Sequence, residues 1–399
     1  MTDRTRIEAG WVASRARRIG LSAIKEMSIR SARVEGAASL AWGLPSFPTP
    51  APIREAVARA LADDPRIGMY ALPDGLPELR AAAAADHLAR TGRAVDPDRE
   101  VTVTAGNMEG LATLLGTVCA PGDEVVVTDP GFASHIQQIQ YNGARPVFWE
   151  MDGSRGWALD LDALDRIVGP RTKAILLVTP SNPTGRVLAA GTLRAVGRIA
   201  RERGCLVILD DPYSHFLYES RARYWSLASD PASAGHVAYL FTFSKAYAMS
   251  GWRCGYMVLP ESLREQVVKI HDLTMICAPR IAQVAALAAL TGPGEHLAAF
   301  EAVLARRRGL ICERLDRMPH VFDYVRPEGA YYVFPRYIRG LGDSVSFAHA
   351  LLETARVAVT PGSAFGPSGE GHVRMAFCVE DDVIDLAFDR MEARFGVEP

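Results

Sequence analysis

The sequence predicts an α/β fold: a three-layer α/β/α unit around a mostly parallel seven-stranded sheet, joined to a smaller α+β unit. Two observations carry this. From about residue 100, short β-rich runs recur at 101–104 (VTVT), 124–128 (EVVVT), 146–149 (PVFW), 174–178 (AILLV), 206–209 (LVIL), 237–242 (VAYLFT) and 255–259 (GYMVL). Most are apolar on both faces, as strands covered on both sides must be. Helical stretches such as 107–119 and 190–203 separate many of them, and strand–helix alternation argues for a largely parallel sheet.

The elements follow in order. Residues 51–62 and 77–90 have the spacing of amphipathic helices. In 107–119, Met108, Leu111, Leu114, Leu115 and Val118 share one helical face. A helix is expected from 279 to 291. Beyond about 295 the pattern changes to a helix, strands near 330–334 and 357–360, and a helix at 380–394. The expected division is a large unit over 46–290 and a small one formed by 1–45 with 291–399. Ligands of such sheets bind outside the carboxyl ends of the strands. That rule gathers the loops at 105–109, 129–135, 179–185, 210–213 and 243–253 around one crevice.

Composition narrows the function class. The chain has 399 residues, 49% apolar and 23% charged, which excludes a mostly disordered chain, a collagen-like repeat and a small disulfide scaffold. A net charge of −2 offers no basic field for nucleic acid or an anionic membrane. No uncharged apolar run reaches the length of a bilayer span. The six cysteines form no CxxC and no Cys/His cluster with zinc spacing, so reduced thiols in a cytoplasmic protein, and no metal site, are expected. Asp3, Arg4, Arg6 and Glu8 sit where a secretory signal would begin its apolar stretch, so none is expected; the Arg-rich stretch to Arg18 leaves a transit peptide as the alternative.

Only four lysines stand among the 44 basic residues: Lys25, Lys173, Lys245 and Lys269. Lys25 lies near the N-terminus, Lys173 in a polar turn and Lys269 in the charged stretch ESLREQVVK. Lys245, in LFTFSKAYAMSGWRCGY, follows an apolar strand, beside Thr242 and Ser244 and eight residues before Arg253. Desolvation and a neighbouring guanidinium lower an amine pKa and suit it to Schiff-base chemistry. A lone lysine at a strand end is ordinarily a surface residue; its surroundings argue otherwise. LVILDDPY ends an apolar strand in Asp210, Asp211 and Tyr213, and so brings at least one carboxylate to the crevice. Asp211 reads as structural. VTPSNPTG, with Asn182 between two prolines, reads alone as a loop. In TAGNMEG a strand breaks at Gly106 and a helix begins, and the free amides of a helix start bind anions.

Taken together, Tyr70–x4–Gly75–x3–Leu79–Arg80, TAGNMEG, DPGF, SNPTG, DDPY, SK–x7–R and PGSAFG–x7–R follow one another in this order. The series, from about Gly43 to Arg374, resembles the aspartate aminotransferase family, the class I/II group of fold-type I enzymes that use pyridoxal 5′-phosphate (PLP). Agreement of several independent contexts makes such a resemblance specific.

The resemblance implies roles. Lys245 is the Schiff-base lysine, Asp210 pairs with the pyridine nitrogen, and Asn182 and Tyr213 donate to the phenolate oxygen; Lys245, Asp210 and Tyr213 form the catalytic set. Gly106, the amides of Asn107 and Met108, the hydroxyls of Thr242 and Ser244, and Arg253 form the phosphate cup. Phe132 stacks on the ring. Tyr70 reaches the phosphate of a neighbouring subunit, so the active unit is a homodimer with shared sites. Arg374 clamps the substrate α-carboxylate, helped by Asn182 and the backbone of Gly43. The reaction implied is ping-pong transfer of an amino group from an L-amino acid to a 2-oxo acid. The same scaffold also hosts elimination, replacement, cyclisation and oxidation. Another relative class fuses it to a DNA-binding helix-turn-helix, for which no room is expected before Gly43.

Three points stay open in the sequence. His135, three residues after Phe132, either lines the pocket or faces solvent. Tyr331 and Tyr332 lie either near the substrate side chain or in the core of the small unit. Dicarboxylate-specific relatives often place an arginine from the neighbouring chain before the helix start at 279. Here that segment holds His271 and Asp272, with Arg280 following, so the expected donor is broad, or aromatic and aliphatic.

Overall fold

The structure, a computed structural model, describes residues 11–219, 221–338 and 342–396; the readings at Asp3, Arg4, Arg6 and Glu8, and the first ten residues of the small unit, lie outside them. Its main sheet has eight strands: β1 (Val101–Thr104), β2 (Glu124–Asp129), β3 (Arg145–Asp152), β4 (Ala158–Leu159), β5 (Thr172–Val178), β6 (Leu206–Asp211), β7 (Val237–Thr242) and β8 (Gly255–Val258). They lie in the order β1-β8-β7-β6-β5-β2-β3-β4. The five central strands β7, β6, β5, β2 and β3 run parallel, while β8 is antiparallel to both β7 and β1.

Seven of these strands are the runs read from the sequence. The eighth corrects the expected number. β4 is two residues long, antiparallel to the end of β3 through Met151↔Leu159 and Asp152↔Ala158. A pair of residues is too short to show period-two alternation, so nothing in the sequence marks it.

The double-sided apolar pattern has its reason in two cores. Val126, Ile175, Leu177, Val207 and Leu209 face one core, with Leu193, Val196 and Ile199 of the helix Ala190–Arg203. The alternate residues Val125, Val127, Ala174, Leu176 and Ile208 face the other. There they meet Leu111, Leu114 and Leu115 of helix α1 (Asn107–Val118). Successive strand side chains point to opposite faces, so both sets must be apolar in a three-layer unit. Each fully buried Val, Leu or Ile contributes about 1.5–3 kcal/mol, set against the entropy of ordering the chain.

The same alternation separates the two aspartates that end β6. Asp210 sits in mid-sheet, in register with Val178 of β5 and Leu240 of β7. Asp211 turns the other way, where it accepts from Ser214 N at 3.0 Å and from the Tyr239 hydroxyl at 2.7 Å. The structural reading of Asp211 agrees with this.

Two further helices matter for the site: α2 (Ala133–Tyr141) and α3 (Glu261–Met275). Outside the main sheet, Ala38–Ser39 pairs in parallel with Val357–Ala358. Val373–Ala376 lies between Tyr332–Val333 and Thr360–Pro361 in a three-stranded antiparallel sheet. The loop after β2 is tied to this region. Asp129 accepts from Ser368 N at 3.1 Å and from Ser368 Oγ at 2.9 Å, and Gly131 N donates to Phe365 O at 2.7 Å. No helix of the described residues is long and apolar enough to cross a membrane.

Candidate active site

A cavity of about 550 Å³ opens at the carboxyl ends of the parallel strands. Of the residues singled out in the sequence, Gly43, Asn107, Met108, Phe132, Asn182, Asp210, Tyr213, Thr242, Ser244, Lys245, Arg253 and Arg374 line it. Gly106 adjoins it through Arg253. Tyr70 does not reach it; that side chain is 74% exposed on the surface.

Lys245 follows β7 by three residues, and its Nζ donates to the Gly43 carbonyl at 2.9 Å. Burial pushes its pKa down to about 8, and the nearby guanidinium groups of Arg374 and Arg253 act in the same direction. A lysine at its ordinary value is almost wholly charged near neutral pH; lowered to about 8, the amine is neutral in roughly a tenth of molecules at pH 7 and in half at pH 8, and the neutral form is the nucleophile. Gly43 has a packing reason to be glycine: a Cβ there would sit 2.0 Å from the Tyr332 hydroxyl. Lys173 and Lys269 make surface pairs with Asp123 and Glu265 at 3.9 and 2.8 Å. Lys25 is different. It lines the cavity, with Nζ 4.6 Å from the centre of the Trp42 ring. Neither Lys25 nor Trp42 is marked by its place in the sequence, because both reach the cavity from the N-terminal segment.

Asp210 is held from two sides. Its Oδ1 accepts from Asn107 Nδ2 at 2.6 Å, and its Oδ2 lies 2.9 Å from His135 Nε2. His135 is buried in the first turn of α2, with its ring edge-on to Phe132 at 5.0 Å between centroids. It neither lines the cavity nor faces solvent: it is buried against Asp210, so both readings of this histidine are corrected. The i, i+3 spacing from Phe132 to a helical face is the signal that pointed there. The Asn107 side chain is a second contribution missed in the sequence, where only its amide drew notice.

The start of α1 makes an anion cradle. Gly106 has φ = +80°, a conformation that disfavours other residues, and a Cβ there would lie 2.8 Å from Arg253 Nη2. The amides of Asn107 and Met108 have no backbone acceptor, as expected in a first helical turn. Arg253 is fixed by the carbonyls of Ser250 and Ala105 at 2.9 and 3.2 Å, and makes no ion pair among the described residues. Thr242 Oγ1 donates to Ser244 Oγ at 2.9 Å beside it.

Across the cavity, Arg374 is 1% exposed. Its Nη1 donates to Asn182 Oδ1 at 3.1 Å, and its Nη2 donates to Ala41 O at 2.6 Å and Thr360 Oγ1 at 3.5 Å. The guanidinium carbon lies 4.5 Å from the Tyr332 ring centre and 5.0 Å from that of Phe365. Among the described residues no carboxylate pairs with it, and its Nε has no partner. A buried cation without a counter-charge is costly unless a ligand supplies one. The Tyr213 hydroxyl lies 3.1 Å from that of Tyr332, and burial raises its pKa well above the usual phenol range, so it stays a protonated donor. Tyr332 lines the cavity, whereas Tyr331 packs in the core and donates to Gly43 O at 3.4 Å.

Residues 37–391 match the model of the family described as aminotransferase class I and II. The chain belongs to this family. An aspartate aminotransferase of Pyrococcus abyssi is 34% identical over 93% of this chain and 95% of its own length. An aromatic-amino-acid aminotransferase 2 of Thermococcus litoralis is 32% identical over 96% and 97%. Among solved structures, a Thermus thermophilus aspartate aminotransferase with maleate superposes with a TM-score of 0.89 at 32% identity, over 96% of this chain and 99% of the other.

Class I aminotransferases use pyridoxal 5′-phosphate. The aminotransferase residues of this cavity fit that group. A lysine amine with a lowered pKa faces an anion cradle that only glycine at 106 leaves open, and a mid-sheet carboxylate is fixed between two donors. Amino acids and 2-oxo acids are the substrates of the family.

Proposed function

We propose that this chain is a PLP-dependent aminotransferase that moves an amino group from an L-amino acid to a 2-oxo acid with ping-pong kinetics. The observation that carries it is one cavity holding both a lysine amine of lowered pKa and an unpaired, buried guanidinium, Lys245 and Arg374.

The cofactor would be held at its aldehyde by Lys245, at its ring by Asp210, Asn182, Tyr213 and Phe132, and at its phosphate by the start of α1, Thr242, Ser244 and Arg253. Bound there, it supplies an electron-accepting ring and a carbonyl carbon for the substrate amine. Arg374 takes the substrate α-carboxylate in a two-pronged grip, with Asn182 and the Gly43 backbone beside it. The Lys245 amine, when free, would be the base placed to remove the substrate Cα proton. The Asp210 carboxylate would pair with the ring nitrogen of the bound group, and His135 and Asn107 hold that carboxylate in place.

Further parts of the reading have their own support. The exposure of Tyr70 fits a side chain that reaches the cavity of a neighbouring subunit, and so a homodimer with shared sites. The free state of all six cysteines fits a reducing, cytoplasmic setting. The separate small sheets fit a large unit over 46–290 and a small unit formed by 1–45 and 291–399. His271 is turned inward to Glu109 and Arg280 lies 3.6 Å from Asp64, so neither is free for a second substrate carboxylate. With Trp42, Leu44 and Tyr332 in the lining, this favours a broad or aromatic and aliphatic amino donor.

The test is an amino-donor panel followed by the visible absorbance of the bound cofactor. The absorbance should fall with a competent donor and return when a 2-oxo acid is added. Loss without return would replace transamination by elimination or another PLP chemistry.

A further inference from the structure

Glu109 stands third in α1, just behind the free amides of Asn107 and Met108, and does not line the cavity. A carboxylate at this position ordinarily turns back to cap its own helix. Here it reaches past the cap. Its Oε2 accepts the Ala105 N–H at 3.0 Å, its Oε1 accepts the Thr113 hydroxyl at 2.6 Å, and the same Oε1 lies 2.8 Å from His271 Nδ1. His271 is fully buried and comes from α3, more than 160 residues away in the chain. One carboxylate thus joins the residue after β1, helix α1 and the C-terminal half of α3.

The consequence lies in the turn between β1 and α1. The Ala105 N–H is drawn inward to Glu109, while the Ala105 carbonyl accepts from Arg253 Nη2 at 3.2 Å. Two successive peptide groups are therefore oriented, one by Glu109 and the next against Arg253. The free amides of Asn107 and Met108 follow at once. A carboxylate so close to a phosphate would also repel it. The imidazole of His271, which is not part of the cavity lining, bonds Oε1 at 2.8 Å and so restrains that carboxylate where Ala105 and Thr113 also hold it.

We propose that Glu109, steadied by His271, is a positioning residue for the phosphate cradle: it sets the Ala105–Gly106–Asn107 turn so that two amides and Arg253 converge on one phosphate. The proposal rests on the PLP reading and deepens it, since neither residue touches the ligand itself.

The experiment compares two ligands on the apo chain, pyridoxal phosphate and unphosphorylated pyridoxal, each titrated by its absorbance change on binding. Glu109→Ala should weaken pyridoxal phosphate about tenfold or more and leave pyridoxal within about twofold. His271→Ala should show the same selectivity with a smaller loss. The double variant should be no worse than Glu109→Ala, because His271 acts through Glu109. If Glu109→Ala does not fold, Glu109→Met serves: it fills similar space but offers no acceptor to Ala105, Thr113 or His271, and the selective loss should persist. Equal losses for both ligands, no loss, or additive losses in the double variant overturn the proposal. If the wild-type chain itself binds neither ligand at Lys245, the cofactor reading fails instead, and the two failures are distinct.

Discussion

His135 Nε2 lies 2.9 Å from Oδ2 of Asp210, while Asn107 Nδ2 holds the other oxygen at 2.6 Å. The two donors come from different helices, α2 and α1, and fix the plane of a carboxylate buried at the end of β6. Hydrogen bonds to a charged group are worth roughly 1.5–3 kcal/mol. His135→Leu should therefore slow the proton-transfer step by roughly 10- to 100-fold. On the proposed reading, Asp210→Asn removes the charge that would keep the bound ring electron-accepting and should slow the same step by several orders of magnitude. Single-turnover kinetics with one amino donor checks both, and equal, small effects would speak against an electron-sink role for Asp210.

Lys245→Ala should abolish both covalent cofactor capture and turnover, and reductive trapping followed by peptide mapping would show whether another amine takes its place. The pH dependence has a defined sign. The neutral amine is the nucleophile, so the rate at which the apo chain captures the cofactor should rise as pH passes upward through about 8, then level. The pKa of this lysine is lowered from 10.5 by folding, so the folded apo chain binds fewer protons than the unfolded chain between about 8 and 10.5. Stability contributed by this group should rise with pH across that window. Lys245→Met should remove that rise, as followed by denaturant titration at several pH values.

Arg374 should show function and stability moving in opposite directions. Its guanidinium is buried against Asn182, Ala41 O and two aromatic rings with no counter-ion among the described residues. Replacement by Leu should cost roughly 100-fold or more in kcat/KM, since a buried, two-pronged carboxylate contact is worth about 3 kcal/mol. It should leave the melting temperature of the apo chain unchanged or raised, because an uncompensated buried charge is removed. Arg374→Lys should recover little activity, since an ammonium cannot reproduce the planar fork. A large fall in melting temperature for the Leu variant would mark Arg374 as structural.

His87 predicts acid sensitivity away from the site. Both its ring nitrogens are buried without partners, and burial, aided by Arg93 and Arg90, lowers its pKa from 6.5 to about 3. The unfolded chain then takes up a proton below about 6.5 that the folded chain refuses. Stability contributed here is present above that pH and should fall by roughly 1.4 kcal/mol per pH unit as pH drops from 6.5 toward 3. His87→Leu should flatten this slope, measured by unfolding at pH 7, 6 and 5 under otherwise equal conditions.

The sequence by itself determined the local parts. Seven strand runs, the helices over 51–63, 107–118 and 190–203, and the turn at Gly106 are written in consecutive residues, where periodicity, apolar runs and breakers act. Lys245 and Asp210 could be singled out because the end of a buried strand is itself a local signal. Tertiary structure alone decided which groups meet. Sheet order puts β1 two strands from β7, so Asn107, His135 and Asp210 converge from segments 75 and 103 residues apart. It also set His271 against Glu109 and not in the cavity lining, brought Lys25 and Trp42 into that lining, and put Tyr332 but not Tyr331 there. Hydrogen bonds and ion pairs depend on distances of a few ångströms, and those distances are set by how sheets and helices pack rather than by spacing along the chain.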